Sequence, residues 1–284
     1  MSADITKLTN EKLIGAKGRA FLADVFYKEE FSAAPLVIFV HGFKGFKDWG
    51  HFNALGERMA ADGCVFVKFN FSHNGTTLEA PNEFNDLEAF AQNNYAHELF
   101  DLQTVIDWAC TEPRWRNKLN KEIVLIGHSR GGGISIIKAA EEPRITKLVT
   151  WASVSDFLHR NKKETLEFWK KEGVLYAQNA RTKQRLPMYY QFVEDLQANA
   201  LRYDIGKAMR ALKIPVLVVH GTNDEAVPFK EGQLLKNWCK QAKFLIVENG
   251  NHTFGIKHPF DAIEFPTHAE MVIFNTIEFI TNHV

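Results

Sequence analysis

Gly127-His128-Ser129-Arg130-Gly131 follows the apolar, β-rich run Ile123-Val124-Leu125-Ile126 and precedes Gly132-Gly133-Ile134-Ser135-Ile136-Ile137-Lys138-Ala139-Ala140. The order is strand, very tight turn, helix, with a serine at the apex. A turn this sharp brings neighbouring backbones too close for side chains at the two flanking positions, and glycine meets that demand. It holds the serine in a strained conformation and pushes its hydroxyl out of the sheet. Ser129 also stands at a helix N-terminus, where free N–H groups and the helix dipole favour negative charge. Five residues of this pattern recur by chance; the strand before and the helix after make it specific. So presented, Ser129 is the candidate nucleophile for attack on a carbonyl.

Working outward, Leu36-Val37-Ile38-Phe39-Val40 is a continuous apolar run, as expected of a strand buried on both faces of a parallel sheet. Similar runs stand at Val65 to Phe71, Leu148 to Trp151, Val216 to Val219 and Phe244 to Val247. Helical spacing of apolar residues marks Phe52 to Ala61, Tyr95 to Ala109, Gly133 to Glu141, Glu231 to Lys240 and His268 to Ile280. Strand alternating with helix predicts a doubly wound, mostly parallel α/β sheet. Before it, Leu13 to Ala16 and Arg19 to Tyr27 read as an antiparallel hairpin turning near Lys17-Gly18. No repeat or linker divides the chain, so residues 1–284 read as a single domain.

One segment, about 155–207, breaks the rhythm. It carries a charged helical stretch from Asn161 to Glu172, a small hairpin around Arg181 to Gln184, and a helix from Phe192 to Leu201. An excursion of this length between two sheet strands is expected to be a lid over the carboxyl ends of the strands, where ligands bind. Its aromatics, Trp169, Tyr176 and Tyr189 among them, with Phe43 and Phe46 on the opposite loop, are the expected lining of an apolar or aromatic acyl pocket.

Composition narrows the class. Formal net charge is +0 over 284 residues, which points to neither nucleic acid nor an anionic membrane as partner. The start of the chain, Met1-Ser2-Ala3-Asp4-Ile5, reads without a signal peptide, and no apolar run reaches membrane-span length. Cys64, Cys110 and Cys239 are odd in number and widely spaced, the pattern of reduced thiols in a cytoplasmic protein. The scattered histidines lack metal-site spacing, so no metal is expected.

A serine needs a base to take its proton, and the base needs an acid to orient it. Asp224 lies just past the strand ending at Val219, in a polar turn; Glu225 is the rival, one residue further on. His252 lies in the loop past the strand ending at Val247, with His258 and His268 as downstream competitors. His128 adjoins Ser129 but is expected to point away from its hydroxyl. The oxyanion of a tetrahedral intermediate needs preorganised N–H donors. One is expected from the backbone of Arg130 and one from that of Phe43, in the loop after Val40. The side chain of Arg130 is read as an ion-pair partner of a nearby acid.

Together His41-Gly42-Phe43, Gly127 to Gly132, His220 to Pro228 and Asn251-His252 resemble the α/β-hydrolase superfamily, and the likeness spans nearly the whole chain. Within it the chain is most similar to small serine esterases grouped with feruloyl (cinnamoyl) esterases and with serine-type relatives of dienelactone hydrolases. Phe69 to Gly75 resembles their loop after the next strand, and the hairpin at Arg181 to Gln184 resembles the compact feruloyl-esterase lid. The resemblance implies a carboxylic-ester hydrolase with Ser129, Asp224 and His252 as triad, Phe43 and Arg130 as backbone donors, and no cofactor. Dienelactone hydrolases proper carry cysteine where this chain has serine, which makes lactones a less secure expectation than simple esters. The expected partner is a small-molecule ester, with a homodimer allowed. A peptidase or amidase using the acids Glu194 and Asp195, a non-catalytic ligand receptor, and a cofactor-free haloperoxidase stand as the other readings of the same fold.

Overall fold

The computed structural model describes residues 4–282; Met1, Ser2 and Ala3, part of the start read as lacking a signal peptide, lie outside the described residues. In chain order the elements are β1 (Ile5–Ile14), β2 (Ala20–Lys28), β3 (Ala34–Val40), α1 (Phe52–Ala61), β4 (Val65–Phe69), α2 (Leu87–Ala91), α3 (Tyr95–Thr111), β5 (Leu119–His128), α4 (Arg130–Glu141) and β6 (Lys147–Trp151). They continue with α5 (Lys163–Glu172), β7 (Val174–Gln178), β8 (Arg185–Tyr189), α6 (Gln191–Ala198), α7 (Ile205–Ala211), β9 (Val216–Gly221), α8 (Phe229–Trp238), β10 (Lys243–Val247) and α9 (Thr267–Thr281). An 8-stranded sheet runs β1-β2-β4-β3-β5-β6-β9-β10, and β7 pairs with β8 in a separate antiparallel ribbon. From β4 to β10 the pairings are parallel, while β1 and β2 join antiparallel at the other edge.

The apolar runs form this sheet because alternate side chains serve two different cores. Leu36, Ile38 and Val40 of β3 face one cluster, with Leu99, Leu102, Val105 and Ile106 of α3 and Ile134 and Ile137 of α4. Val37 and Phe39 face the other, with Phe52, Leu55 and Met59 of α1 and Val272, Ile273 and Ile280 of α9. β5 divides in the same way, Leu125 to one side and Val124 and Ile126 to the other. A strand with helices on both faces has no polar face to show, which is why these runs do not alternate in polarity.

The chain goes from β3 to β4 on one side and then crosses to β5 on the other, so strand order reverses at the β3–β5 pair. The carboxyl ends meet there: Val40 is in register with Gly127, and His128 with Trp151. Loops leaving such a switch point diverge and open a crevice.

Some boundaries differ from expectation. β1 starts at Ile5 rather than near Leu13; it is a polar edge strand whose register shifts between Leu8 and Glu11. Helices α2 and α7 were not anticipated. Both are too short to show a period, and each is capped by an aspartate, Asp86 accepting from Ala89 N–H and Asp204 from Lys207 N–H. Between β6 and β9 the chain forms α5, the β7–β8 hairpin, α6 and α7. Tyr95 at the start of α3 anchors this excursion, stacking on Phe157 at 4.0 Å between ring centroids and meeting Phe192 and Tyr203 edge-on. Among the described residues no helix is long and apolar enough to cross a membrane.

Candidate active site

Ser129 has φ 56° and ψ −120°, a region L-residues rarely occupy. The turn has room for nothing else. A Cβ on Gly127 would lie 2.4 Å from the Gly131 carbonyl oxygen; one on Gly131 would lie 2.3 Å from that of Val40; one on Gly132 would lie 2.3 Å from Ser153 Oγ. Backbone bonds then fix the serine: its N–H donates to the Trp151 carbonyl at 2.9 Å, and its carbonyl accepts from Gly132 N–H at 3.0 Å and Val154 N–H at 3.3 Å. Helix α4 starts at the next residue.

Asp224 follows β9 and its side chain is wholly buried. Its Oδ1 accepts from the N–H groups of Ala226 (2.9 Å) and Val227 (2.8 Å). His252 Nδ1 lies 2.9 Å from Oδ2 and 3.0 Å from Oδ1. Burial alone would raise the carboxyl pKa, but hydrogen bonds from His220 and His252 outweigh it and hold Asp224 well below the usual carboxylate range. The rival Glu225 instead accepts from the His252 backbone N–H at 3.4 Å.

The other histidines sort by contact. His128 Nε2 is 3.0 Å from the His252 carbonyl oxygen and its ring centroid is 4.9 Å from that of His252, so it braces the loop, on the same cavity wall as Ser129. His258 Nδ1 accepts from Gly50 N–H at 2.9 Å, and the ring stacks on Trp49. His268 sits in the first turn of α9, outside the cavity wall. His41 is buried, and burial pushes its pKa down to about 4. It is held as the neutral tautomer with Nδ1 donating to Gly42 O (2.9 Å) and Nε2 accepting from Phe71 N–H (3.4 Å).

Ser129 and His252 line one cavity of about 250 Å³ with Phe43, Trp49, Lys44 and Arg181. Their side chains share its wall without a mutual hydrogen bond. The N–H groups of Phe43 and Arg130 have no acceptor among the described residues. The Arg130 guanidinium lies 4.0 Å over the Phe43 ring and pairs with buried Glu98 at 3.3 Å, so the side chain takes the ion-pair role expected of it.

Of the aromatics expected to line the pocket, Phe43 stands on the cavity wall, while Phe46, Trp169, Tyr176 and Tyr189 lie elsewhere. Phe46 is fully buried with Phe84, Phe90 and Leu186 beneath the loop. Trp169 is buried inside the excursion, stacked on Phe192 and donating to the Met188 carbonyl at 2.8 Å. Tyr176 is exposed under Arg185, and Tyr189 donates to Glu88 at 2.6 Å on an outer face. Large aromatics in an excursion first bury themselves to hold it together; Trp49 and Phe52, which were not singled out, take the cavity wall with Phe43.

Two supports also escaped the sequence reading. His220 is fully buried, with Nε2 2.9 Å from the Val227 carbonyl and 3.3 Å from Asp224 Oδ2. Beneath the loop after β3, Lys47 and Lys68 are buried against Asp24 and Asp48 at 2.5–2.8 Å. Lys47 N–H also donates to Asn70 Oδ1 at 2.7 Å, which ties that loop to β2 and β4. Buried charges with every partner present rigidify what they join. Their only trace in the sequence is a lysine inside an apolar run, Lys68.

Comparison with known proteins places this geometry in context. A family model described as the alpha/beta hydrolase family matches residues 37–264. Est1E from Butyrivibrio proteoclasticus, solved with ferulic acid bound, is 20% identical with a TM-score of 0.72, covering 95% of this chain and 97% of its own. A candidate dienelactone hydrolase from Klebsiella pneumoniae is 15% identical with a TM-score of 0.62, covering 99% and 100%. An acylaminoacyl peptidase from Pyrococcus horikoshii is 15% identical with a TM-score of 0.65; the match covers 98% of this chain and 41% of that one. At these identities the likeness is one of fold. No curated protein matches the chain by sequence.

Proposed function

The chain belongs to the alpha/beta hydrolase family, and from that premise we propose that it hydrolyses carboxylic esters through an acyl-enzyme on Ser129. The observation that carries this is the buried Asp224–His252 pair on the same cavity as a serine held at φ 56°. His252 takes the Ser129 proton as Oγ attacks the ester carbonyl. Asp224, kept ionised by its hydrogen bonds, fixes the imidazole with Nδ1–H towards the carboxylate and balances its charge once protonated. The unoccupied N–H groups of Phe43 and Arg130 receive the oxyanion. His252 then protonates the leaving alcohol, and water attacks the acyl-enzyme by the same steps in reverse to release the acid and restore Ser129.

Segment 155–207 is the lid in this reading, supported by Asn179, Ala180 and Arg181, which stand on the cavity wall. Phe43, Trp49 and Phe52 favour an aryl acyl group, and the ferulic acid bound to Est1E accords with that. The peptidase reading has less support: neither Glu194 nor Asp195 lines the cavity, and Asp195 accepts from Tyr203 OH at 2.9 Å and from Asn199 at 2.9 Å. The test is hydrolysis of p-nitrophenyl and methyl cinnamate esters together with fluorophosphonate labelling. Wild type shows both, and Ser129→Ala shows neither, with turnover down by about 10⁶-fold. Labelling that survives Ser129→Ala removes the assignment.

A further inference from the structure

Lys44 and Arg181, on the cavity wall, have no carboxylate partner among the described residues. Lys44 follows Phe43 directly and is half-buried. Its Nζ donates to the Gln178 carbonyl at 3.1 Å, which joins the loop after β3 to the end of β7, and stands 5.6 Å over the Phe43 ring. Arg181 reaches the wall from the β7–β8 turn; its backbone N–H is held by Asn179 Oδ1 at 3.1 Å, and its exposed guanidinium has no hydrogen bond or ion pair among the described residues.

Three of the nearby acids are engaged, while Asp261, which acts on His258 as Arg181 does, has no ion pair among the described residues. The wall itself carries no carboxylate. Asp224 is bound by His252 and His220, and Glu98 pairs with Arg130 behind Phe43. Glu225 contacts only the far, backbone side of His252. Elsewhere Arg58, Arg114, Arg144, Arg160 and Arg202 each hold a carboxylate, whereas Arg185 over Tyr176 and Arg210 over Trp238 hold none among the described residues. What sets Lys44 and Arg181 apart is that both stand on the wall of the Ser129 cavity. They leave an electropositive rim above an apolar wall of Phe43, Trp49 and Phe52, and such a rim attracts and orients an anion.

We propose that the ester taken by this site carries a carboxylate on its aryl acyl part, held by Lys44 and Arg181 while the ester carbonyl faces Ser129. The inference rests on the esterase reading above and adds the charge of the substrate. It is tested with methyl 4-carboxycinnamate against its neutral isostere methyl 4-acetylcinnamate, read as the ratio of kcat/KM for the two.

Wild type is expected to favour the charged ester by about tenfold at low salt, the worth of one charge-assisted hydrogen bond. The ratio falls towards one in 0.5 M sodium chloride, in Arg181→Gln, and further in the Lys44→Gln, Arg181→Gln double variant, whereas Arg210→Gln, a remote cation over Trp238, keeps it. Glutamine at position 44 retains a donor for the Gln178 carbonyl, so the loop junction survives. A wild-type ratio of one or less, with the neutral ester turned over, overturns the charge inference and leaves the esterase. A preference that persists in the double variant overturns the assignment to these residues. Failure to turn over either ester, with no fluorophosphonate labelling, overturns the esterase reading and this inference with it.

Discussion

Two regions meet across the Ser129 cavity and are held by different kinds of contact. The floor is the β5–α4 turn against β3, where backbone touches backbone: Gly131 sits so close to the Val40 and His41 carbonyls that no side-chain atom fits. The facing hairpin is joined to the body by side chains, with Lys44 reaching the Gln178 carbonyl, Gln184 that of Phe84, and Tyr189 reaching Glu88. A contact between backbones fixes geometry to a fraction of an ångström and tolerates no added atom. A contact through side chains holds position while permitting substitution. In the proposed reading the reacting atoms stand on the first kind and the substrate-facing wall on the second, which lets chemistry stay fixed while specificity varies.

That contrast can be broken in graded ways. The largest effect is expected inside the relay anchored on the floor. Asp224→Asn keeps the shape but not the charge, and should lower kcat by about 10⁴-fold while KM for cinnamate esters moves little; steady-state kinetics with kcat within tenfold of wild type would remove Asp224 from the mechanism. Next come paired glycines. Gly131→Ala should destabilise the fold by about 3 kcal/mol or more through overpacking. Gly173→Ala, at φ +72° with nothing within 4 Å, should cost only about 1–2 kcal/mol from strain at the end of α5. Urea titration of both variants ranks them, and equal losses would erase the distinction between the two regions.

Acid sharpens the comparison from the floor side. Burial pushes His41 down to about 4 and His51 down to about 3, so both are neutral in the fold, whereas the unfolded chain takes up their protons near pH 6.5. Below that pH the unfolded state binds more protons. Their stabilising contribution is therefore complete above about pH 6.5 and is lost as pH falls towards 4 and then 3. At pH 5 each should have cost about 1–2 kcal/mol. Denaturation of wild type and His51→Phe at pH 7.5 and pH 5 measures this, and an identical loss in both proteins would rule His51 out as a contributor. The smallest effect belongs to the hairpin: Tyr189→Phe removes the exposed bond to Glu88 and should leave the melting temperature unchanged.

How far the residues could be read in advance follows from how local each feature is. The turn at Ser129 was legible because its glycines are demanded by neighbours in sequence and by one adjoining strand. The buried strands were legible as unbroken apolar runs, and Asp224 and His252 as polar residues just past strand ends. The pocket aromatics were not. Nothing local distinguishes a tryptophan that packs its own excursion, as Trp169 does on Phe192, from one that lines the cavity, as Trp49 does. Lys68 was equally opaque, since only the meeting of β2, β4 and the following loops reveals Asp24 and Asp48 around it.

The sequence by itself determined an α/β sheet, a serine at a strained turn, and the chain order of serine, acid and histidine, because backbone strain and strand burial depend on adjacent residues. Tertiary structure alone decided that Asp224 rather than Glu225 holds the His252 ring, that Trp49 and Phe52 rather than Trp169 and Tyr176 wall the cavity, and that Lys44 and Arg181 stand there without an acid. Those choices turn on which side chains, more than a hundred residues apart in several cases, come within a few ångströms. Such distances are set by the packing of the whole domain and by no local pattern.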